Sequence, residues 1–249
     1  MTEHSTTSTT GGVSAAAARF LAGCAVDPAV PEVRPDYRAL LVVVEGIDAG
    51  APSSVADELI AAAEGRAREL LADTPVTELP HVAAWREAYR AFGAKPKRTR
   101  NSLEALTRRA GAGLPRVNAL TDLYNAISVL HQIPFGGEDL ARYEGAARLV
   151  RATGEEDFDT MSSGEGVIEH PEPGEVVWRD DAGVTCRRWN WRQCRRTALT
   201  DETESVYLVL DLLEPVSDAE AHAAVDALLE ALAPLGDDVR SARRLIGRD

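Results

Sequence analysis

The stretch YRALLVVVEGI, residues 37–47, is apolar at nearly every position and rich in β-branched residues, which predicts a buried strand. Beyond it the apolar spacing widens to a helical one. Ser53 and Ser54 precede VADELIAAAEGRARELL with Asp57 and Glu58 in the first turn, the pattern of a capped helix, which Gly65 weakens slightly. After Pro80, Trp85, Tyr89 and Phe92 recur at i, i+4 and i+7 and predict a helix with a core-packing stripe, ended by Gly93. AKPKRTRNS then reads as a basic loop, and Asn101 or Ser102 caps a helix carrying Leu103, Leu106 and the pair Arg108–Arg109. Pro115 stands at the first position of the next predicted helix, 116–130. That helix has an apolar stripe (Val117, Leu120, Tyr124, Ile127) and a polar one (Asn118, Asp122, Asn125).

The second half changes period. Residues 148–152, 166–170, 175–180, 184–191, 196–200 and 206–213 read as strands separated by turns such as EPG, DDAG and TDE. Ser217 and Glu220 form a capping box for a last amphipathic helix, AHAAVDALLEALAPL. A strand and helices, then a meander, then a helix predict an α+β fold: a mixed, largely antiparallel sheet with flanking helices in a single domain. Residues 1–12 are expected to be a disordered tail, 13–36 a short helix and a Pro-punctuated link, and 37–249 the domain.

Charge alters this picture in two places. The chain has a formal net charge of −13, yet residues 86–109 hold eight Lys/Arg against Glu87 and Glu104, and residues 187–196, RRWNWRQCRR, hold five arginines and no acid. The remainder is strongly acidic, so the chain is neither histone-like nor polybasic, but two local basic patches suffice for phosphate contacts. Arginine outnumbers lysine 25 to 2, a coding bias rather than a function. No run of apolar residues predicts a membrane span, and the start MTEHSTTSTTGG has no signal-peptide pattern. Three scattered cysteines, Cys24, Cys186 and Cys194, point to a reducing cytoplasm.

The usual catalytic signatures are absent: no phosphate-binding GxxxxGK[ST], no GxGxxG after a strand, no HExxH and no GxSxG. The five histidines are isolated, His131 near a helix end among them, and no metal or cofactor is expected. Cys194, flanked by arginines, is a candidate for a depressed thiolate pKa but has no identifiable base.

Several motifs in order carry more than any one of them. WREAYRAFGAKPKRTRNSLEALTRRAGAGLPRVNALTDLYNAISVLHQIPFGGEDL (85–140), RLVRATGEEDFDTM downstream, and GEVVWRDDAGVTCRRWNWRQCRRTALTDETESVYLVLDLLEP together resemble the B3/B4 domain of the phenylalanyl-tRNA synthetase beta subunit, and more strongly the stand-alone B3/B4 proteins. The resemblance spans about residues 37–235 and implies the B3/B4 fold. In the synthetase that domain hydrolyses the ester of tyrosine wrongly attached to phenylalanine tRNA. A stand-alone copy is similar to a trans-acting factor that deacylates mischarged aminoacyl-tRNA, so the implied partner is tRNA, with neither DNA nor membrane. Two departures bear on specificity: Gly136 stands where the synthetase has a histidine, and RRWNWRQCRR replaces its glycine-rich pocket segment. The tyrosine-selecting groups therefore do not carry over.

An aminoacyl ester is already activated, so editing needs positioning more than a triad or a metal. On that reading Asn118, Asp122 and Asn125 supply amide donors and a carboxylate for the substrate's ammonium group, and Gly136 and Gly137 offer backbone N–H groups. Lys95, Lys97, Arg98, Arg100, Arg108 and Arg109 follow the acceptor-stem backbone. In 187–196 strand alternation puts Trp189, Trp191 and Gln193 on one face and Arg188, Asn190 and Arg192 on the other, with Arg187, Arg195 and Arg196 flanking them. Either face can meet RNA, the tryptophans by stacking on the terminal adenine. Plain structural roles stay open for each: core tryptophans, a solvated arginine loop, a polar stripe that merely ties its helix down. Three functions remain open as well: a deacylase, a non-catalytic tRNA or RNA binder, and a small-molecule binder on the same fold. Oligomeric state and the edited amino acid are not legible.

Overall fold

The computed structural model describes residues 8–10, 12–51 and 53–247. Its strands are β1 (Ser8–Thr10), β2 (Ala25–Val26), β3 (Arg38–Glu45), β4 (Phe135–Asp139), β5 (Arg148–Arg151), β6 (Phe158–Ser162), β7 (Glu165–Glu169), β8 (Val176–Arg179), β9 (Val184–Arg187), β10 (Arg192–Gln193), β11 (Ser205–Leu212) and β12 (Arg240–Gly247). Its helices are α1 (Ala15–Gly23), α2 (Ser54–Asp73), α3 (Pro80–Ala91), α4 (Ser102–Ala110), α5 (Ala119–His131) and α6 (Asp218–Leu232).

One antiparallel sheet runs β1-β12-β3-β11-β4, and a second, mixed sheet runs β10-β9-β8-β5-β2, with β6 and β7 as a separate hairpin. The apolar run of β3 is near-continuous because the first sheet is covered on both faces. Leu40, Val42 and Val44, with Leu208 and Leu210 of β11, pack under α2, α5 and α6. Ala39, Leu41 and Val43, with Tyr207 and Val209, pack against α1, α3 and the second sheet. The result is a layered α+β domain. Residues 13–36 belong to the same core, since Ala17 and Leu21 of α1 are buried in it and β2 pairs parallel with β5. Of the tail, residues 8–10 pair as an edge strand with β12, and residues 1–7 lie outside the described residues.

Most predicted elements form, and the exceptions have local causes. The expected strand 196–200 is turn and loop. The GGED segment, not among the expected strands, is strand β4, paired with β11 from Phe135↔Leu210 to Asp139↔Val206. Gly137 permits this, because a Cβ there would meet the Tyr124 ring at 2.9 Å. Strand β12 escaped notice because four of its residues are Arg or Gly; Arg244 reaches the α1 carbonyls of Leu21, Ala22 and Cys24 at 2.8–3.0 Å.

The start of α5 also differs. Pro115 is not its first position; Asn118 is the N-cap, its side chain accepting from the Thr121 N–H at 2.9 Å, and Asp122 accepts from the Val117 N–H at 2.9 Å. Val117 therefore lies before the helix and is 65% exposed rather than part of an apolar stripe. Losing a cap of this kind costs about 1 kcal/mol. Asn118→Ala is expected to lower the unfolding free energy by that amount, read by equilibrium urea unfolding as a lower midpoint with an unchanged m-value.

Candidate functional site

Strand β9 ends at Arg187, and the chain then turns back on itself. Arg188 and Trp189 both adopt left-handed backbone, φ 48° and 67°, which bulky side chains rarely do. The Trp189 N–H bonds to the Val176 carbonyl at 2.7 Å and the Trp191 N–H to the Arg187 carbonyl at 3.1 Å. This corrects the expected continuous strand 184–191 and its two alternating faces. Trp189 is fully buried, its ring 5.1 Å from Tyr37, 5.4 Å from Trp85 and 6.1 Å from Phe92. Trp189 is thus core and cannot stack on a base. Trp191 is only partly buried and lies against the Arg188 guanidinium, 4.6 Å from ring centre to Cζ.

One buried carboxylate organises the turn. Glu175 accepts from Arg187 Nε and Nη2 at 2.9 and 2.8 Å, from the Arg188 N–H at 3.2 Å and from Arg188 Nε at 3.3 Å. Arg188 Nη1 donates to the Thr99 hydroxyl, and the Ser102 N–H bonds to the Asn190 carbonyl at 3.0 Å. The basic loop after α3 is thereby tied to the turn. Between them lies a cavity of about 420 Å³ lined by Phe92, Gly93, Ala94, Lys95, Arg98, Thr99, Glu172, Glu175 and Arg188. A wider hollow of about 740 Å³ at the end of the first sheet holds four carboxylates (Glu45, Asp48, Glu204, Asp237) against Arg240 and none of the expected site residues. Its charge is wrong for RNA.

The remaining arginines divide sharply. Arg187 also pairs with Glu169 at 3.1 Å, Arg195 with Asp159 at 3.1 Å and Arg196 with Asp180 at 2.7 Å, while Arg192 donates to the Met161 carbonyl at 2.9 Å. Fully buried Glu104 collects Arg86 at 2.8 Å, Arg108 at 3.2 Å and Arg100 at 3.8 Å. By contrast Lys95, Lys97, Arg98 and Arg109 are exposed and have no side-chain partner among the described residues. Most of the positive charge in 187–196 is therefore matched internally, and the unmatched charge sits chiefly on the loop.

The polar stripe of α5 does not join this cavity. Asn118 and Asp122 are committed to the helix start, and Arg116 stands between Asp122 and Asp57 of α2. Val129, on the same stripe, belongs to the cluster of Ile60, Ala63, Ala67, Ala110 and Leu114, so the stripe faces α2 and the end of α4. Asn125 is buried. Gly136 and Gly137 lie on β4 at the far end of the turn. Gln193 Nε2 donates to the Gly137 carbonyl at 2.9 Å, so the peptide groups of Gly137 face β10. Asn190 is held by the Tyr89 hydroxyl at 3.0 Å. Cys194 is buried beside Thr197, and burial pushes its thiol pKa up, against the expected depression. Among the described residues no cluster of His, Cys, Asp or Glu is arranged to hold a metal, and no helix is long and apolar enough to cross a membrane.

The sequence model described as the B3/4 domain matches residues 84–231, more than half of the chain. The chain belongs to the B3/4 domain family. Among solved structures it is similar to an N-terminal fragment of the phenylalanyl-tRNA synthetase beta subunit from Pyrococcus horikoshii, with 13% identity, a TM-score of 0.44, and coverage of 87% of this chain. This chain spans about half (49%) of that one. No curated protein matches.

Within this B3/4 domain, sequence reasoning missed Phe92, Thr99, Glu172 and Glu175 as cavity residues. The adjacent arginines 187 and 188 were the available signal, since a buried guanidinium such as that of Arg187 requires a carboxylate. It also missed two carboxyls buried between the sheets. Glu138 accepts from Tyr143 and from Gln193 at 3.4 Å, and burial lifts its pKa to about 7. Asp211 accepts from the Tyr37 hydroxyl at 2.5 Å and from Trp178 Nε1 at 3.4 Å, and burial likewise lifts it to about 7. Both groups bind their proton more tightly folded than unfolded, so the stability they lend is full below about pH 4 and is lost as pH rises through about 7. Asp211→Asn keeps an acceptor for Tyr37 and Trp178 but cannot ionise. Its unfolding free energy relative to wild type is expected to rise by on the order of 2 kcal/mol between pH 5 and pH 8, measured by denaturant titration at both.

Proposed function

We propose that the protein is an aminoacyl-tRNA deacylase acting in trans on mischarged tRNA. Membership of the B3/4 domain family and the motif resemblance to synthetase editing domains support this choice of reaction class. The observation that carries the reading is the cavity where the loop 94–99 meets the turn 188–191, walled by Arg188 and opening beside the unpaired cations Lys95 and Arg98. Lys97 continues that charge along the loop and Arg109 adds a second exposed cation on α4, a surface suited to the acceptor stem.

Hydrolysis adds water across the ester: the water oxygen bonds to the carbonyl carbon, the bond to the ribose oxygen breaks, and that oxygen leaves with a proton. The reaction needs alignment and charge more than a nucleophile, and the substrate's vicinal hydroxyl is available to relay the proton. The ammonium-binding role expected for Asp122 passes to Glu172, an exposed carboxylate in the cavity lining. A second reading, tRNA binding without turnover, is favoured by Glu175, whose carboxylate is occupied by four hydrogen bonds from Arg187 and Arg188.

A panel of labelled, mischarged tRNAs separates the two readings. Shortened ester lifetime for at least one tRNA is expected; unchanged lifetimes with salt-sensitive binding retained would leave only the binding reading. Arg98→Glu is expected to weaken tRNA binding about tenfold or more and to reduce the slope of log K against log salt, whereas Asn118→Ala alters stability but not that slope.

A further inference from the structure

We infer that the cavity is a subsite for one nucleoside and its adjoining phosphodiester, with Phe92 as the base platform and Arg188, Lys95 and Arg98 as the phosphate ligands. This deepens the proposed function and rests on it only for the source of the nucleotide, the 3′ end of an RNA.

Arg188 is prepared for such a ligand. Its Nε is held by Glu175, its Nη1 by Thr99, and its face by Trp191, while its Nη2 has no partner among the described residues. A guanidinium fixed on two edges and stacked on the third side loses little freedom when its remaining N–H groups bind a phosphate oxygen. The left-handed backbone at Arg188 is strained, and such strain persists only where the surroundings over-determine it, as Glu175, Thr99 and the buried Trp189 do here. Lys95 and Arg98 contribute charge from the opposite wall without an internal carboxylate to release first.

The other lining groups narrow the ligand. Phe92 lines the cavity and is held by Tyr89 at 5.4 Å and Trp189 at 6.1 Å, both tilted to it, which makes it a fixed ring on which a base can pack. Glu172 and Glu175 stand against the three cations, so the lining favours a singly charged phosphodiester over a polyphosphate. The volume of about 420 Å³ suits one nucleotide rather than a strand.

The test is calorimetric titration of the full chain with cytidylyl-(3′→5′)-adenosine, adenosine and inorganic phosphate. The dinucleotide is expected to bind about tenfold or more tightly than adenosine or phosphate, with Lys95→Gln and Arg98→Gln each weakening it severalfold. Both substituted side chains are exposed and unpaired, so these variants fold; Phe92→Leu is expected to weaken the dinucleotide and adenosine alike. Equal binding of adenosine and dinucleotide, equal binding of inorganic phosphate, or indifference to both charge variants overturns the subsite. If the dinucleotide fails to bind while mischarged tRNA is still deacylated, the subsite is wrong and the deacylase stands. If it binds as expected while no ester is hydrolysed, the subsite stands and the deacylase falls.

Discussion

The site depends on the burial of one ring. Trp189 fills the space between Tyr37, Trp85 and Phe92, and to reach it the backbone must leave the β9 direction through two left-handed residues. Each such residue costs about 1–2 kcal/mol, whereas burying a tryptophan removes roughly 200 Å² from water and contributes about 5 kcal/mol. Burial wins by a modest margin, and the margin needs the partners of Glu175 to hold. The turn is therefore a consequence of core packing, and its geometry is what aims Arg188 at the cavity.

The same turn stitches the two sheets together through polar groups. Asn190 meets the Tyr89 hydroxyl near Asp211, and Gln193 meets Glu138 on the edge strand β4. Asn190 thus accepts from Tyr89, and Gln193 of the following strand β10 donates to Glu138; burial lifts both Glu138 and Asp211 to a pKa of about 7. Apolar substitutes would pack with less penalty, because each buried carboxyl must stay protonated or bear a desolvation cost. What the polar layer adds is direction: hydrogen bonds fix where the turn sits between sheets that hydrophobic contact alone would leave free to slide. The turn that carries Arg188 is held in place by that layer.

Legibility followed the local signals. Strand β3, the Ser53 cap of α2 and the Ser217–Glu220 capping box were readable because neighbours in sequence supply both partners of the interaction. Motif order also led to the B3/4 domain family, which composition alone does not indicate. The course of 187–196 was not readable, since alternation assumes extended backbone and the pull on Trp189 comes from Tyr37 and Trp85, more than a hundred residues away. Glu175 and Glu104 were missed for the same reason: sequence shows a run of arginines but not the buried carboxylates that claim them. Which neighbours the polar side of α5 faces was decided by packing that brings Val129 together with Ile60, Ala63 and Ala67 of α2 and with Ala110 and Leu114.

Pairing also changes what a basic patch means. Counted along the chain, RRWNWRQCRR is the strongest concentration of positive charge; counted after folding, Glu175, Glu169, Asp159 and Asp180 match Arg187, Arg188, Arg195 and Arg196. An arginine held by a buried carboxylate still donates through its free N–H groups, but its long-range field is largely cancelled. On the proposed function, attraction of a polyanion from a distance falls to Lys95, Lys97, Arg98 and Arg109, and recognition at contact falls to Arg188. The two basic segments then are not duplicates of one function: in the proposal one steers, the other orients, and the cavity lies where they meet.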